Sequence, residues 1–555
     1  MNGNIISTIN FFFKKILFIC LLLAFSNNLV AQSQEKYPTG FVLPINAQER
    51  INAPENSLVI KFSKAPGLPT SIDNSKSKFF PKVFNQKGGS CGQASGVGYT
   101  YSYELNFLLN REANTTKNII SYMYTWNYIN GGHGWGSWPV DGWDIIKENG
   151  AISEFDFHTT SFTEWTNGYK KYFRGMSYGV EKIGFIKVAS DPNITIRELK
   201  QYLTDHGDGS ALGGCVGFTA MADPLPGYKN YKGPSYTGYE CILDHFPVTG
   251  AHAMTIVGFD DKVECDVNNN GSIEADEIGA FLCINSWGAS WGDNGRFYMP
   301  YQLVRYGNRR GGCDPVFYTV RPKVNSPKLV FKIKMEHSSR DDLSFELGVS
   351  NDVTSKEPKF IVKKKKIMYK QAGDLQMRGL RGASYKTFEF GLDASVLASK
   401  IDESNKSKFF LNISSVAKGK VGSGKLISFS VLDYRNSLEN PVEYEFSGRN
   451  IKLKTSNIFS ISEIIYDYEN KDGISFKISE PVSNIETIHL KLKNEERVKV
   501  EIIEPLSKKM TVVLDETIES GTYIKNFALD DFTPGVYAVR VITYNQVFYK
   551  KIIIK

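Results

Sequence analysis

The distribution of tryptophan and cysteine divides this 555-residue chain into two parts of different character. All seven tryptophans and all seven cysteines lie at or before Cys313, in a stretch rich in glycine and tyrosine with mixed helix and strand patterns. Beyond Pro327, apolar and polar residues alternate between polar turns, which is typical of strands with one buried face. Because a chain of this length exceeds one hydrophobic core, three or four domains are expected. We therefore predict an α+β part followed by all-β domains.

The N-terminal end has the pattern of a secretory signal peptide. Lys14 and Lys15 precede the apolar run 16–25, and a small residue, Ala31, closes the segment. The run is shorter than the roughly 20 residues that a membrane helix needs, and no later run is longer, so we expect no transmembrane segment. The predicted segments are a signal peptide at 1–31, a short pro-segment at 32–67, an α+β domain at 68–324, a β-sandwich at 325–455 and a last β domain at 475–555.

The charge pattern does not favour a nucleic-acid partner. The net charge is +7, but the lysines are scattered, and the one dense run lies at 363–366 between apolar residues. That run fits a solvated edge strand or, as an alternative, a site for a polyanion. We predict the edge strand and no binding of nucleic acid.

Three short motifs in the α+β part carry reactive side chains. Cys91 follows Asn85-Gln86-Lys87-Gly88-Gly89-Ser90, His252 lies in an apolar strand pattern, and Asn285 opens Asn285-Ser286-Trp287-Gly288. A free thiol has a pKa of about 8.5, so a nucleophilic cysteine needs help from a base or a helix N-terminus. Periodicity predicts such a helix over 95–109, just after Cys91. In this order, the three motifs resemble those of papain-like cysteine peptidases over residues 68–320.

This resemblance implies a two-lobed papain-like fold and a role for each motif. Cys91 would be the nucleophile and His252 the general base, with the His252 ring held by Asn285 and shielded by Trp287. Gln86 and the Cys91 amide would form the oxyanion hole. The implied reaction is hydrolysis of peptide bonds in proteins or peptides through an acyl-enzyme, by an endopeptidase that needs no cofactor for catalysis.

The same resemblance implies the substrate contacts. Asn130-Gly131-Gly132 resembles the glycine wall that binds an extended peptide, so Gly131 and Gly132 are assigned to substrate binding together with Ala253 and Trp287. The segment 32–67 is too short for the long helical prodomain of many relatives. We therefore expect latency, if it exists, to be achieved differently.

The nucleophile motif departs from the family pattern at several positions. Gly92 stands where an aromatic residue is usual, Gly88 where a second cysteine is usual, and Gln86 is one residue closer to Cys91. In a rival register Cys91 is a structural cysteine and Ala94 takes the nucleophile position. The domain would then be inactive, and the protein a papain-like adhesin or binding protein at the cell surface.

The chain between the histidine and asparagine motifs is unusually long. His252 and Asn285 are 33 positions apart, against roughly 20 in the family. The insertion 266–277 matches the pattern of an EF-hand loop, with a metal-free turn as the alternative. The EF-hand pattern predicts a structural calcium ion. The expected ligands are Asp266, Asn268, Asn270, the carbonyl of Ser272, Glu274 through water and a bidentate Glu277.

The remaining cysteines receive a partial assignment. The resemblance implies a disulfide between Cys241 and Cys313, which export would permit. Cys215, Cys265 and Cys283 have no evident partner, and Cys283 is expected to be a buried free thiol.

The last β domain resembles the sorting domain of the type IX secretion system. The features are the strand 498–504, the turn 529–537 and the terminal strand 550–555. An ordinary Ig-like adhesion module is the alternative. The resemblance implies export through the periplasm to the cell surface or the medium, with the type IX secretion machinery as a partner.

Overall fold

The structure is a computed structural model that describes residues 38–555 with gaps. Residues 59, 61–66, 224–241, 308–309, 365–374, 380–385, 402–406, 416–422, 465–474, 479–484, 493, 505–508, 529–531, 534, 544–546 and 555 are not described. The predicted signal peptide, Cys241, half of the lysine run and part of the 529–537 turn therefore lie outside the described residues.

In the described part of residues 68–324, seven antiparallel strands form one sheet. They are β1 Ser71–Asp73, β2 Tyr178–Lys187, β3 Val216–Asp223, β4 Thr249–Glu264, β5 Ile278–Ile284, β6 Arg296–Pro300 and β7 Val316–Val324. The order is β2-β7-β3-β4-β5-β6, and β1 pairs with β4. Residues 252–259 of β4 are all buried, because the strand is central and a helix covers it. This explains its continuous apolar sequence.

That covering helix begins at Cys91 and continues through three joined stretches, Cys91–Gln93, the π-helical Ala94–Tyr101 and Ser102–Leu108. Ser95 fixes it to β4, since its Oγ lies 2.8 Å from the carbonyl oxygen of Met254 and 2.8 Å from Thr255 Oγ1. The helix starts four residues earlier than periodicity predicts, and this places Cys91 at its first position.

The other helices pack around the sheet or within the loops. The α-helices are Ala47–Asn52, Tyr122–Ile129, Pro139–Asn149, Tyr169–Met176, Pro192–Asp205 and Tyr301–Tyr306. Short 3-10 helices are Pro54–Asn56, Asn74–Lys76, Thr116–Asn118, Ala275–Glu277, Arg340–Asp342 and Ser395–Lys400. With the sheets, they confirm the predicted α+β class. None of the helices in the described ranges has the length and apolar character needed to traverse a bilayer.

Two separate cores divide this region into lobes. One core is aromatic and includes Trp126, Trp138 and Trp143 beside the helices. The other lies around β3 to β6 and includes Trp287 and Trp291. Cys91 starts the helix of one lobe and His252 lies on a strand of the other, so the cleft between the lobes brings them together.

Residues 329–464 form two antiparallel sheets around one interior. The strands are β8 Leu329–His337, β9 Leu343–Ser350, β10 Phe360–Lys364, β11 Thr387–Asp393, β12 Ser407–Ser415, β13 Gly424–Asp433, β14 Val442–Glu445, β15 Ile451–Lys452 and β16 Ser456–Ile464. The orders are β10-β9-β12-β16 and β11-β8-β13-β14, with β15 on β13. Lys363 lies on the edge strand β10 and pairs with Glu346 at 3.0 Å, as the edge-strand interpretation expects.

The sandwich shares its core with the aromatic lobe. Trp165 packs against Phe388 with ring centroids 5.9 Å apart, and Phe173 stacks on Tyr434 at 4.2 Å. The buried guanidinium of Arg340 lies 4.1 Å from the Trp165 ring. Because the two regions bury one continuous apolar surface, the two-lobed region and the sandwich form a single structural unit.

The C-terminal strands form two further sheets. They are β17 Ser475–Ile478, β18 Ile485–Leu492, β19 Glu496–Ile503, β20 Met510–Ile518, β21 Gly521–Ala528, β22 Gly535–Ile542 and β23 Val547–Ile554, in the orders β17-β18-β21 and β20-β19-β22-β23. They share a core of their own, which is separate from the sandwich. Tyr537 closes one end by donating a hydrogen bond to the Thr533 carbonyl at 2.9 Å.

Candidate active site

The strands of the sheet bring His252 and Asn285 together. His252 lies on β4, and Asn285 directly follows β5, whose Ile284 pairs with Thr255. His252 Nε2 lies 2.9 Å from Asn285 Oδ1. The ring of Trp287 stacks on the imidazole at 4.6 Å with an interplanar angle of 25°. The imidazole is thus fixed on one nitrogen and on one face.

Burial determines the charge state of this histidine. His252 is completely buried, and burial lowers its pKa to about 4, although the hydrogen bond to Asn285 acts in the opposite direction. Its second nitrogen, Nδ1, has no hydrogen-bond partner among the described residues. This nitrogen is therefore available to exchange a proton with a nucleophile.

Cys91 lies beside the histidine strand. Burial raises the pKa of its thiol to about 12, while hydrogen bonds from the main chain of Ala253, Gly92 and Gly40 lower it. Ala253 follows His252, so the thiol lies beside the strand that carries the imidazole. Ala94 belongs to the aromatic core instead of the cleft, so the geometry favours the register with Cys91 at the site. A side chain at Gly92 would meet the Ser137 carbonyl at 2.2 Å, which accounts for the missing aromatic residue.

Gln86 is held by Ser286, the residue that follows Asn285. Its main-chain amide donates to the Ser286 carbonyl at 2.7 Å, and its Oε1 accepts from Ser286 Oγ at 2.5 Å. These bonds turn the side-chain amide group toward the cleft, where Nε2 donates to the carbonyls of Pro38 and Gly88 at 3.1 and 2.8 Å. The Gln86 amide group thus supplies a preorganised donor for a carbonyl oxygen.

The segment of residues 38–58, called the strap below, runs across this cleft. The amide of Gly40 donates to the Ala251 carbonyl at 3.1 Å, and its carbonyl accepts from the Ser137 amide at 2.9 Å. The carbonyl of Pro38 accepts from Trp287 Nε1 at 3.0 Å as well as from Gln86. The strap therefore contacts both lobes and covers the nucleophile.

The strap is fastened beyond the cleft by its helix. Arg50 makes two hydrogen bonds to Asp144, at 2.7 and 3.2 Å, and its guanidinium lies 5.2 Å from the Trp138 ring. Ala47 and Ile51 are buried in the aromatic core. Residues 38–58 of the predicted pro-segment are thus packed against the rest of the chain.

The main-chain contacts to the strap described above are not made by the two glycines that the resemblance assigns to substrate binding. Gly131 and Gly132 form a left-handed turn in which Asn130 Oδ1 accepts from the Gly132 amide at 2.8 Å. The amide of Ser137 and the carbonyl of Ala251 make the contacts instead. Neither the Ser137 amide nor the Ala251 carbonyl could be predicted as a contact, because main-chain groups leave no pattern in the sequence. The available signal was that Ser137 lies near the glycine motif and that Ala251 lies in the histidine motif.

A buried ion pair joins the lobes behind the site. His206 Nε2 lies 2.8 Å from Glu104 Oε2, and Glu104 Oε1 accepts from the Cys215 amide at 2.9 Å. Burial lowers the pKa of His206, but the charge and hydrogen bond of Glu104 and the Leu212 carbonyl outweigh it, so the net pKa is raised. This pair was not predicted.

The insertion 266–277 folds as a compact loop around its acidic groups. The carboxylate of Asp266 accepts from the amides of Asn270 and Gly271, at 3.1 and 2.8 Å. Glu277 Oε1 accepts from the amides of Val267 and Asn268. Burial and contact with the Glu274 side chain both raise the pKa of Glu277.

Two observations bear on a cation in this loop. The Glu274 side chain accepts from Asn268 Nδ2 and Asn270 Nδ2, which brings three of the five predicted side-chain ligands into contact. Across the described ranges, no three His, Cys, Asp or Glu side chains are grouped closely enough to hold a metal by themselves. The residues present fit a cation that also takes amide and main-chain oxygens, as calcium does.

The cysteines of the described residues are thiols. Cys313 is buried and free, and its Sγ lies 3.9 Å from the Leu303 carbonyl. Its predicted partner lies outside the described residues. Cys283 is a buried thiol as expected, and burial raises its pKa, with Cys313 nearby raising it further.

Comparison with known proteins identifies two segments. Residues 480–555 match the family model described as a secretion system C-terminal sorting domain. The chain is also similar to the oryzain gamma chain of Oryza sativa subsp. japonica, with 30% identity over 167 residues. That match covers 30% of this chain and 37% of the relative, so the chain spans little more than a third of that relative's length.

Similar solved structures include two enzymes. The proCathepsin B S9 from Trypanosoma congolense is 13% identical with a TM-score of 0.35, over 53% of this chain and 89% of that one. The bromelain protease from Ananas comosus is 16% identical with a TM-score of 0.29, over 46% and 99% of the two chains. The proteins to which this chain is similar are papain-like cysteine proteases, and its C-terminal end matches a secretion-system sorting domain.

Proposed function

We propose that the protein is an exported cysteine endopeptidase with Cys91 as its nucleophile. The observation that carries the proposal is the placement of Cys91 beside the strand of His252, with that imidazole fixed by Asn285 at 2.9 Å and by the Trp287 ring. A nucleophile, a base and an orienting group are the three parts that covalent catalysis of this kind requires.

The proposed reaction follows from these positions. His252 Nδ1 takes the proton of the Cys91 thiol, and the sulfur attacks the peptide carbonyl carbon. Gln86 Nε2 and the Cys91 amide stabilise the negative oxygen, an effect typically of about 3 kcal/mol. The imidazolium then gives its proton to the leaving amine, and an acyl-enzyme remains. Water activated by His252 hydrolyses that thioester and restores the thiol.

The strap makes the chain latent in this proposal. With Cys91 and His252 completely buried, the pKa of the thiol is about 12 and that of the imidazole about 4, so both are neutral near pH 7. The thiolate and imidazolium are formed when the strap leaves and solvent reaches the cleft, because burial is the cause of both shifts. The Pro38 carbonyl also occupies the donor of Gln86 until then.

A calcium ion held by the 266–277 loop is the second part of the proposal. Asp266, Asn268, Asn270, Glu274 and Glu277 would supply side-chain oxygens, and Ser272 its carbonyl. The ion would supply positive charge to a loop that carries the carboxylates of Asp266, Glu274 and Glu277, of which that of Glu277 is buried. The loop connects β4 and β5, which carry or precede His252 and Asn285, so binding would stabilise the site without taking part in the reaction.

The sorting domain directs the protein to the cell surface or the medium. We propose export through the periplasm by a signal peptide at 1–31 and then by the type IX machinery. Substrates would be proteins or peptides outside the cell.

Hydrolysis of a mixed peptide library by the full-length chain tests this function. After long incubation we expect internal cuts that are absent with Cys91→Ala and with His252→Ala, and unaffected by Cys283→Ala, a control thiol of the same region. If all four chains leave the library intact while an immobilised chain retains peptides or glycans, the inactive adhesin is the correct function.

A further inference from the structure

The strap passes the nucleophile at a point where three glycines meet. Gly40 of the strap lies between Gly89, two positions before Cys91, and Gly136, one position before Ser137. Its amide and carbonyl are both engaged, with the Ala251 carbonyl on one lobe and the Ser137 amide on the other. A main-chain hydrogen bond to Cys91 places the same residue directly at the sulfur.

The walls of this passage are main chain on both sides. A Cβ added to Gly40 would lie 2.4, 2.5 and 2.7 Å from the Cα, oxygen and carbonyl carbon of Gly89. A Cβ added to Gly136 would lie 1.6 Å from the Gly40 oxygen. Side-chain ends could move aside, but these atoms are fixed by the start of the Cys91 helix and by the Ser137 hydrogen bond. A side chain at this position therefore forces the peptide out of its two hydrogen bonds.

We infer that the cleft position beside Cys91, between Gly89 and Gly136, accepts glycine and excludes residues with a side chain. The position is defined by its two hydrogen bonds, to the Ala251 carbonyl and from the Ser137 amide. A substrate that uses the same two bonds must present an unsubstituted residue there, next to the bond that is cut. This inference rests on the proposed peptidase function and specifies its substrate class as peptides with glycine at that position.

The strap itself offers the first test, because Gly40 is the only strap residue that the inference concerns. In the full-length chain, Gly40→Ala should unseat the strap and expose Cys91 to iodoacetamide. An overpacked contact costs about 1–3 kcal/mol, so the labelling rate at pH 7 should rise about tenfold or more. Gly535→Ala, in the C-terminal domain, is the matched control, since its added Cβ would come no closer than 3.6 Å to another atom, and it should label like the parent chain.

Peptides supply the second test in the opened Gly40→Ala chain. A peptide with the strap sequence Pro-Thr-Gly-Phe-Val-Leu should protect Cys91 from iodoacetamide, and the same peptide with alanine for glycine should protect at least about tenfold less. Cleaved library peptides should carry glycine beside the cut. The substitution Gly136→Ala should abolish protection by the glycine peptide, because the new Cβ would take the place of the carbonyl oxygen of the peptide's glycine.

The two claims fail in different ways. Equal protection by both peptides, or parent-like labelling of Gly40→Ala, would overturn the glycine position even in an active peptidase. Glycine-dependent protection without any hydrolysis would leave the glycine position standing as a binding site and overturn the peptidase. Cleavage without glycine beside the cut would overturn the substrate class alone.

Discussion

Asn285 Oδ1 lies 2.9 Å from His252 Nε2, in a part of the cleft from which the strap and Trp287 exclude water. This hydrogen bond holds the imidazole in the orientation that leaves Nδ1 for the nucleophile. The amide cannot be ionised, so its role is orientation and not charge.

The substitution Asn285→Ala should therefore reduce turnover without removing the nucleophile. We expect kcat/KM to fall by about a hundredfold in the Gly40→Ala background, because a misplaced general base loses most of its contribution. Alkylation of Cys91 at alkaline pH, where the base is not needed, should change little. Asn114→Ala, at an exposed asparagine far from the cleft, is the control. Unchanged turnover in Asn285→Ala contradicts this role.

The pair of His206 and Glu104 predicts a stability that declines in alkali. The pKa of His206 is raised above its ordinary value, so the pair is fully charged below about pH 6.5, and its stabilisation is lost as the pH rises through the folded pKa. His206→Gln should lower the free energy of unfolding by about 3 kcal/mol at pH 6, and by less at pH 9. Urea unfolding at both pH values measures this.

His245→Gln is the control for that experiment, since His245 is more than half exposed and pairs with Asp244 at the surface. It should cost little at either pH. The assignment is wrong if the destabilisation by His206→Gln is the same at pH 6 and pH 9.

The calcium proposal predicts a ligand-dependent melting temperature. Calcium at a hundred times its Kd should add about 2.7 kcal/mol to the stability of the folded chain, so the melting temperature should fall in chelator. Asp266→Asn should remove that difference. Asp352→Asn changes a surface aspartate that caps a similar turn in the sandwich. It is the control, and should leave the difference in melting temperature between calcium and chelator unchanged. Equal melting temperatures of the parent chain in calcium and in chelator would refute the site.

The shared core predicts that the sandwich and the peptidase-like region unfold together. Phe388 is buried and packs against both Trp165 and Tyr172, with centroids 5.9 and 6.2 Å away. Phe388→Ala should lower stability by about 3–5 kcal/mol, and tryptophan fluorescence, which reports on the peptidase-like region alone, should shift with it. A fluorescence midpoint that does not move would show that the two regions are independent.

Some features of the molecule follow directly from sequence patterns. The apolar run around His252 and the alternating strands beyond Pro327 correspond to one buried strand and to sheets with one solvated face. The strap could not be predicted, because its contacts are made by main-chain groups of Pro38 and Gly40, which any sequence possesses. The His206 and Glu104 pair was hidden for a different reason, since 102 positions separate the two residues.

The surroundings of Cys313 could not be predicted from the sequence. Cys313 lies against the Leu303 carbonyl as a free thiol. The spacing of the cysteines along the sequence does not indicate this contact. The contact of Ser137 with the strap likewise depends on how the turn before it folds, through Gly131 and Gly134 with positive φ.

The nucleophilic role of Cys91 is the central claim, and covalent labelling tests it most directly. The parent and Gly40→Ala chains would be treated with an epoxide inhibitor of papain-like enzymes, and the modified residue located by peptide mass spectrometry. The account predicts a label on Cys91 that forms faster in Gly40→Ala and disappears in His252→Ala. A label that persists without His252, or no label on Cys91 in either chain, would contradict it.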